Sequence, residues 1–249
     1  NIQMEERKTI YLCLAHMSET GEEQKYVKEA FDTNWVVPLG PNVNGFEDDL
    51  KAFVSKNSDG SELSREVVAL SAGTAAVHLG LLASGVGPGD EVCVQSFTFC
   101  ASSHPITYLG ATPVFIDSEP DSWNMDPELL EKAIIDRKEK TGKYPKAIVP
   151  VALYGMPYDC DKIMAISEKY GIPVVEDAAE GCGSRWKGQV LGTFGKFGVL
   201  SFNGNKMITT SGGGALICQD AESKNNVMWY ATQARDAYPY YQHTAIGYN

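Results

Sequence analysis

From Val67 onward the chain alternates short apolar runs with longer amphipathic stretches. The apolar runs fall at 67–71, 91–96, 113–117, 147–151, 173–176, 198–202 and 215–218. Their length and their β-branched or aromatic bias are those of buried strands. Helical spacing occupies 74–82, 100–109, 127–138 and 161–170 between most of them. Glycine-rich or Asp-Pro breaks punctuate the alternation at 85–90, Gly110, Asp126-Pro127 and 171–173. This order predicts an α/β fold of three α/β/α layers, built on a mostly parallel seven-stranded sheet with helices on both faces. The last two runs are joined by a loop without a helix, so one strand at that end is expected to be antiparallel.

The pattern upstream is different. Residues 1–20 are mixed and partly extended. Ser18 or Thr20 can cap a helix that has Glu22 and Glu23 in its first turn and runs to about Asp32. Residues 34–44, rich in proline, glycine and asparagine, predict a structured loop, with packing a plainer role for Trp35 than ligand contact. A helical period resumes over 46–56, and 57–64 is a polar turn. No internal repeat or low-complexity tract appears.

Composition narrows the function classes. The 249 residues are 43% hydrophobic and 21% charged, ordinary for a globular chain of one large domain or two small ones. A net charge of −11 with no long basic run argues against nucleic acid as the main partner. An anionic substrate would then need local positive charge or backbone N–H groups. The six cysteines (Cys13, Cys93, Cys100, Cys160, Cys182, Cys218) form no CxxC pair and read as buried thiols in a reducing compartment; no metal is expected. No apolar run approaches the ~18 residues of a membrane helix and no signal peptide opens the chain, so a soluble cytoplasmic protein is expected. The start at Asn1 and the end at Asn249 suggest a piece of a longer chain.

Candidate chemistry gathers where sites of such sheets form, at the carboxyl ends of the strands. Lys206 stands alone in a polar loop between two buried strands, ahead of Thr209, Thr210 and three glycines. It is either an ordinary loop lysine or a Schiff-base lysine beside a cofactor. Ser71-Ala72-Gly73-Thr74-Ala75-Ala76 leads from a strand into a helix whose start could hold an anion, or is a simple turn; it is neither a Walker loop nor GxGxxG. Phe97 and Phe99 follow a strand and could stack on a flat ring or pack in the core. Asp177 ends a buried strand, where it would cap a helix or meet a cation such as a protonated pyridine nitrogen. Ser201 lies on the same turn as Lys206. A phosphate held by Ser201 and the helix start at 73–75 would leave an attached aldehyde within reach of that lysine.

An aldehyde-reactive lysine, an acid for a ring nitrogen, an aromatic lid and a phosphate cradle are the parts of a pyridoxal-phosphate site. The chain resembles the DegT/DnrJ/EryC1/StrS family of sugar-nucleotide aminotransferases from about Ile10 to Asn249. The resemblance rests on NWVVPLGPNVNGFE, SAGTAAVHLGL, GPGDEV, SFTFCAS, GATPVFID, VALYG, VVEDAAEGCGS, GTFGKFGVLSFNGNKMITTSGGG and the final GYN. It implies the type I, aspartate-aminotransferase-like fold of pyridoxal-phosphate-dependent transferases. Residues 1–249 would form the cofactor-binding large domain and its N-terminal arm, with no counterpart of the family's small C-terminal domain. It assigns Lys206 to the Schiff base and Asp177 to the ring nitrogen. Phe99 would stack on the ring, and Thr74, Ala75 and Ser201 would hold the phosphate. Glu180 stands where many members carry Gln or His near the ring hydroxyl. Asn249 would reach the cofactor phosphate of a partner subunit in a homodimer with shared sites.

Glu180 with the SFNGNK and TTSGGG wording resembles most the subgroup acting on UDP-linked 4-keto-6-deoxy-N-acetylhexosamines. The implied activity is amino transfer from an amino acid such as glutamate to C4 of that sugar, as in polysaccharide biosynthesis. Other readings are a dehydratase, a non-catalytic or regulatory protein of this fold, and a doubly wound nucleotide-binding protein. The dehydratases best known in the family replace the lysine with histidine. Intact Lys206, Asp177 and Ser201 weigh against the second, and missing glycine fingerprints against the last.

Overall fold

The computed structural model describes Thr9 and residues 16–249. Cys13 and the first part of the expected N-terminal arm, including most of the stretch read as partly extended, lie outside the described residues. The elements in chain order are α1 (Glu22–Asp32), α2 (Pro41–Ser55), β1 (Glu66–Leu70), α3 (Gly73–Ala83), β2 (Glu91–Gln95), α4 (His104–Tyr108), β3 (Thr112–Ile116), α5 (Pro127–Thr141), β4 (Ala147–Val149), α6 (Cys160–Tyr170), β5 (Val175–Asp177), β6 (Arg185–Trp186), β7 (Gln189–Val190), β8 (Phe197–Ser201), β9 (Gly214–Cys218) and α7 (Ala221–Ala231).

Strands β1, β9, β8 and β5 form one sheet in that order, and β3, β2 and β4 form another. Parallel bridges Ile148↔Val174 and Val151↔Asp177 stitch β4 to the β5 side, so the two continue each other. β2 is parallel to β3 and β4, and β5 is parallel to β8. β9 runs antiparallel to both β8 and β1, which is the expected exception at that end.

Alternate residues of the strands feed two separate cores, as the period of two requires. Val67, Cys93, Ile148, Leu200 and Ile217 point to the face covered by α2, α5 and α6, where Val54, Leu130 and Ile163 meet them. Val68, Val92, Val94, Val199 and Leu216 point to the other face, against Leu79 and Leu81 of α3, Ile106 of α4 and Val227 of α7. This split is the three-layer arrangement. Among the described residues no helix is long and apolar enough to cross a membrane.

Three local expectations are corrected, and two features go unforeseen. The loop expected over 34–44 ends early, because Pro41 opens α2 at a position where the missing N–H costs nothing. The segment 100–109 is a 3-10 turn, Cys100–Ser102, followed by the short α4, which Pro105 opens rather than extends. The antiparallel ribbon β6–β7 and helix α7 were not anticipated. Cys100 is exposed and Cys182 half-buried rather than buried, while Cys93, Cys160 and Cys218 are buried; these five are free thiols. At the start of α1, Ser18 Oγ accepts the Glu22 N–H at 3.1 Å and Glu23 Oε1 accepts the Ser18 N–H at 2.7 Å. That is the reciprocity of a capping box, displaced one turn outward by Gly21.

Candidate active site

Five strand-end loops converge on one cavity of about 530 Å3. Thr74, Phe99, Asp177, Glu180, Ser201 and Lys206 all stand on its wall. Ala75 lies behind that wall in the first turn of α3. Asn249 lies away from it, exposed at the chain end; its neighbour Tyr248 packs edge-on against His78 at 4.7 Å. Six of the eight residues singled out in the sequence thus share one space.

One side of the cavity presents bare backbone donors. Helix α3 begins at Gly73 without a capping side chain, so the N–H groups of its first turn remain available to a ligand. Ser201, at the end of β8, lies directly against this start. A Cβ on Gly73 would come within 2.8 Å of Ser201 Cβ. A Cβ on Gly214 would come within 2.4 Å of the Ala72 carbonyl carbon, so both glycines are demanded by close approach.

The opposite side carries the charges. Asp177 is 6% exposed at the end of β5. Its Oδ2 accepts the Ser102 hydroxyl at 2.5 Å and its Oδ1 accepts the Ala179 N–H at 3.2 Å. Burial pushes its pKa up; the Ser102 hydroxyl, the Ala179 N–H and the charge of Lys206 oppose that push, and Glu180 adds to it. Lys206 Nζ sits 3.6 Å from Glu180 Oε1. Glu180 Oε2 accepts the Tyr154 N–H at 2.6 Å, and Tyr154 holds a left-handed backbone at φ 52° to present it. A second space of about 420 Å3 continues past Lys206 and Glu180 toward Met207 and Ile208. Thr209 and Thr210 spend their hydroxyls on the Phe202 and Gly212 carbonyls, so they shape the lysine loop.

The neighbouring acid, Glu176, faces the other side of β5 and is fully buried. It accepts the N–H groups of Gly192, Phe194 and Gly195 at 2.8, 2.6 and 2.6 Å, pinning the loop that leads into β8. Sequence reasoning missed this clamp, together with Ser102 and Tyr154. The signal for Glu176 was present, because successive residues of a strand face opposite ways. Among the described residues no group of three or more His, Cys, Asp or Glu is placed to hold a metal ion.

EpsN of Bacillus subtilis (strain 168) is 49% identical over 97% of this chain and 60% of its own length. A GDP-perosamine synthase of Escherichia coli O157:H7 is 36% identical over 96% of this chain and 62% of its own length. Spr1654 from Streptococcus pneumoniae, solved in PMP- and PLP-forms, matches with TM-scores of 0.82 and 0.78 at 27% identity, over 97% of this chain and 63% and 62% of that one. The chain therefore spans less than two thirds of the length of each. The profile of the DegT/DnrJ/EryC1/StrS aminotransferases matches residues 17–249. With the profile covering nearly the whole chain and EpsN at 49% identity, the chain belongs to the DegT/DnrJ/EryC1/StrS aminotransferase family.

Proposed function

We propose that this chain forms the cofactor-binding large domain of a pyridoxal-phosphate-dependent aminotransferase. Its amino acceptor in this reading is a nucleotide-linked 4-keto-6-deoxy sugar, specifically a UDP-linked N-acetylhexosamine aminated at C4, and its donor is glutamate. The observation that carries the reading is the meeting of Lys206 and the buried Asp177 on one cavity whose far side is the uncapped start of α3. The relatives support it: a GDP-perosamine synthase speaks for a nucleotide-linked sugar, and the PLP- and PMP-forms of Spr1654 for the cofactor.

The residues present fit that cofactor. The bare N–H groups at Thr74 and Ala75 and the Ser201 hydroxyl suit a phosphate. A carboxylate buried without a full set of donors suits a ring N–H. Phe99, 75% exposed on the wall, offers a face for the ring, and Glu180 offers a carboxylate near its hydroxyl. When bound, the cofactor would supply a carbonyl that exchanges amino groups and a ring that absorbs carbanion charge.

The chain's own residues do the rest. Lys206 Nζ would hold the cofactor and, as a free amine, would carry the proton from the donor's α-carbon to the cofactor. In the second half-reaction the same amine would carry a proton from the cofactor to C4 of the sugar. Glu180, fixed by the Tyr154 N–H, keeps Lys206 Nζ close to the reacting centre. Asp177 keeps its charge opposite the ring nitrogen. The space past Lys206, lined by Met207 and Ile208, is available to the sugar nucleotide.

The working unit in this reading is a cytoplasmic homodimer in which Asn249 of one protomer meets the cofactor phosphate of the other. Helix α1, which buries none of its residues here and exposes Tyr26, Val27 and Phe31, supports a further partner surface. The test uses glutamate labelled with 15N and UDP- and GDP-linked 4-keto-6-deoxy sugars, with products identified by NMR. Label at C4 of a UDP-linked N-acetylhexosamine is the expected result. Label that stays in glutamate with every sugar would refute the reading.

A further inference from the structure

Two hydroxyls form a chain that ends on the Asp177 carboxylate. Ser102, 1% exposed in the 3-10 turn after β2, places its Oγ 2.5 Å from Asp177 Oδ2. Thr98 Oγ1 lies 2.7 Å from the same serine oxygen. A serine has a single O–H proton to donate. With that proton directed at the carboxylate, Thr98 must be the donor in the second contact. The chain therefore has one direction, from Thr98 through Ser102 to Asp177.

Its two ends touch the proposed cofactor site from different sides. Thr98 stands on the cavity wall between Phe97 and Phe99. The Ser102 N–H donates to the Phe99 carbonyl at 3.1 Å. The loop that carries Phe99 is thus tied to the acid by a side chain and closed on itself by backbone.

We propose that Ser102, aligned by Thr98, is a positioning residue that holds the Asp177 carboxylate and keeps it aimed at the ring nitrogen of the cofactor; the inference rests on the cofactor reading above. A buried carboxylate has no water to hold its charge. The Ser102 hydroxyl is the largest influence opposing burial, ahead of the Ala179 N–H and Lys206, while the charge of Glu180 works against it. A second cation in this place would hold the carboxylate ionised but cancel the charge that the ring nitrogen needs. A hydroxyl donor stabilises the charge and leaves it in place.

The test compares two ligands on the purified protein: pyridoxal phosphate, and an analogue in which carbon replaces the ring nitrogen. Dissociation constants come from quenching of protein fluorescence. Ser102→Ala is expected to weaken the natural cofactor about tenfold and the analogue less than about twofold, the difference expected when one hydrogen bond to a charged group is lost. Thr98→Val, in a half-buried place, should shift the same ratio in the same direction by about threefold, and it carries the comparison should Ser102→Ala not fold. Equal losses for both ligands would reveal a merely structural serine and overturn the inference, as would unchanged affinity for both. Wild-type protein that binds neither ligand would overturn the cofactor reading itself, and the inference with it.

Discussion

Glu176 and Asp177 are adjacent, both acidic, and both buried, yet they differ in what surrounds them. Glu176 turns into the α2/α5/α6 side of the sheet, where three backbone N–H groups of residues 192–195 occupy its oxygens. Asp177 turns to the cavity with one hydroxyl and one longer N–H contact, and it keeps acceptor capacity for something else. Burial raises the pKa of both, so the shift alone does not separate a clamp from a reactive acid. The separation lies in satisfaction: a buried carboxylate saturated by its own backbone holds structure, and one left partly open toward a cavity is available for chemistry.

The strongest way to break this contrast is to remove each charge in turn. Asp177→Asn keeps an acceptor for Ser102 but cannot balance a ring N–H, so turnover should fall by about a hundredfold or more. Its unfolding free energy should move by less than about 1 kcal/mol. Glu176→Gln should do the reverse. Its amide turns a donor toward the N–H groups of residues 192–195, which should cost about 2–3 kcal/mol of stability in urea unfolding, while folded molecules retain turnover. A common loss of activity in both variants would erase the distinction.

The Glu176 pair also has a pH signature. A carboxyl whose pKa is raised by folding binds its proton more tightly folded than unfolded. Its contribution to stability is complete below its ordinary value of 4.5 and is lost as pH rises through the raised folded value. The stability advantage of wild type over Glu176→Gln should therefore shrink as pH climbs above 4.5. The smallest effect is expected at Tyr158. Its buried hydroxyl lies beside Glu176 without a hydrogen bond of normal geometry, and three backbone N–H groups already hold that carboxylate. Tyr158→Phe should change stability by less than about 1 kcal/mol; a larger loss would mean that the hydroxyl holds the clamp.

The contrast also shows what was legible in the chain. The central strands and α3, α5 and α6 follow from apolar runs and helical spacing, because burial in two cores imposes both periods. The two-residue strands β6 and β7 are too short to carry a period. Helix α7 buries only Val227, so no apolar stripe marks it. In the site, Asp177 is visible because a charge at the end of a buried strand is costly without a purpose, and Lys206 because it is the lone lysine of a polar loop between two buried strands. Ser102 is not. A serine in a turn after a strand resembles many others, and its partner lies 75 residues away across the sheet. Glu176 is hidden by its neighbour: the eye goes to Asp177 at the strand end, although alternation along β5 sends the two acids to opposite faces.

The central claim is that Lys206 and Asp177 face one pyridoxal cofactor. A visible absorption spectrum of the purified protein, loaded with pyridoxal phosphate, tests it most directly, with Lys206→Ala alongside and each sample read before and after glutamate. The account predicts a wild-type band of cofactor held by the lysine, a shift toward the pyridoxamine form on adding glutamate, and neither in the variant. A wild-type spectrum that shows only free cofactor, or a variant that shows the wild-type band and shift, would contradict it.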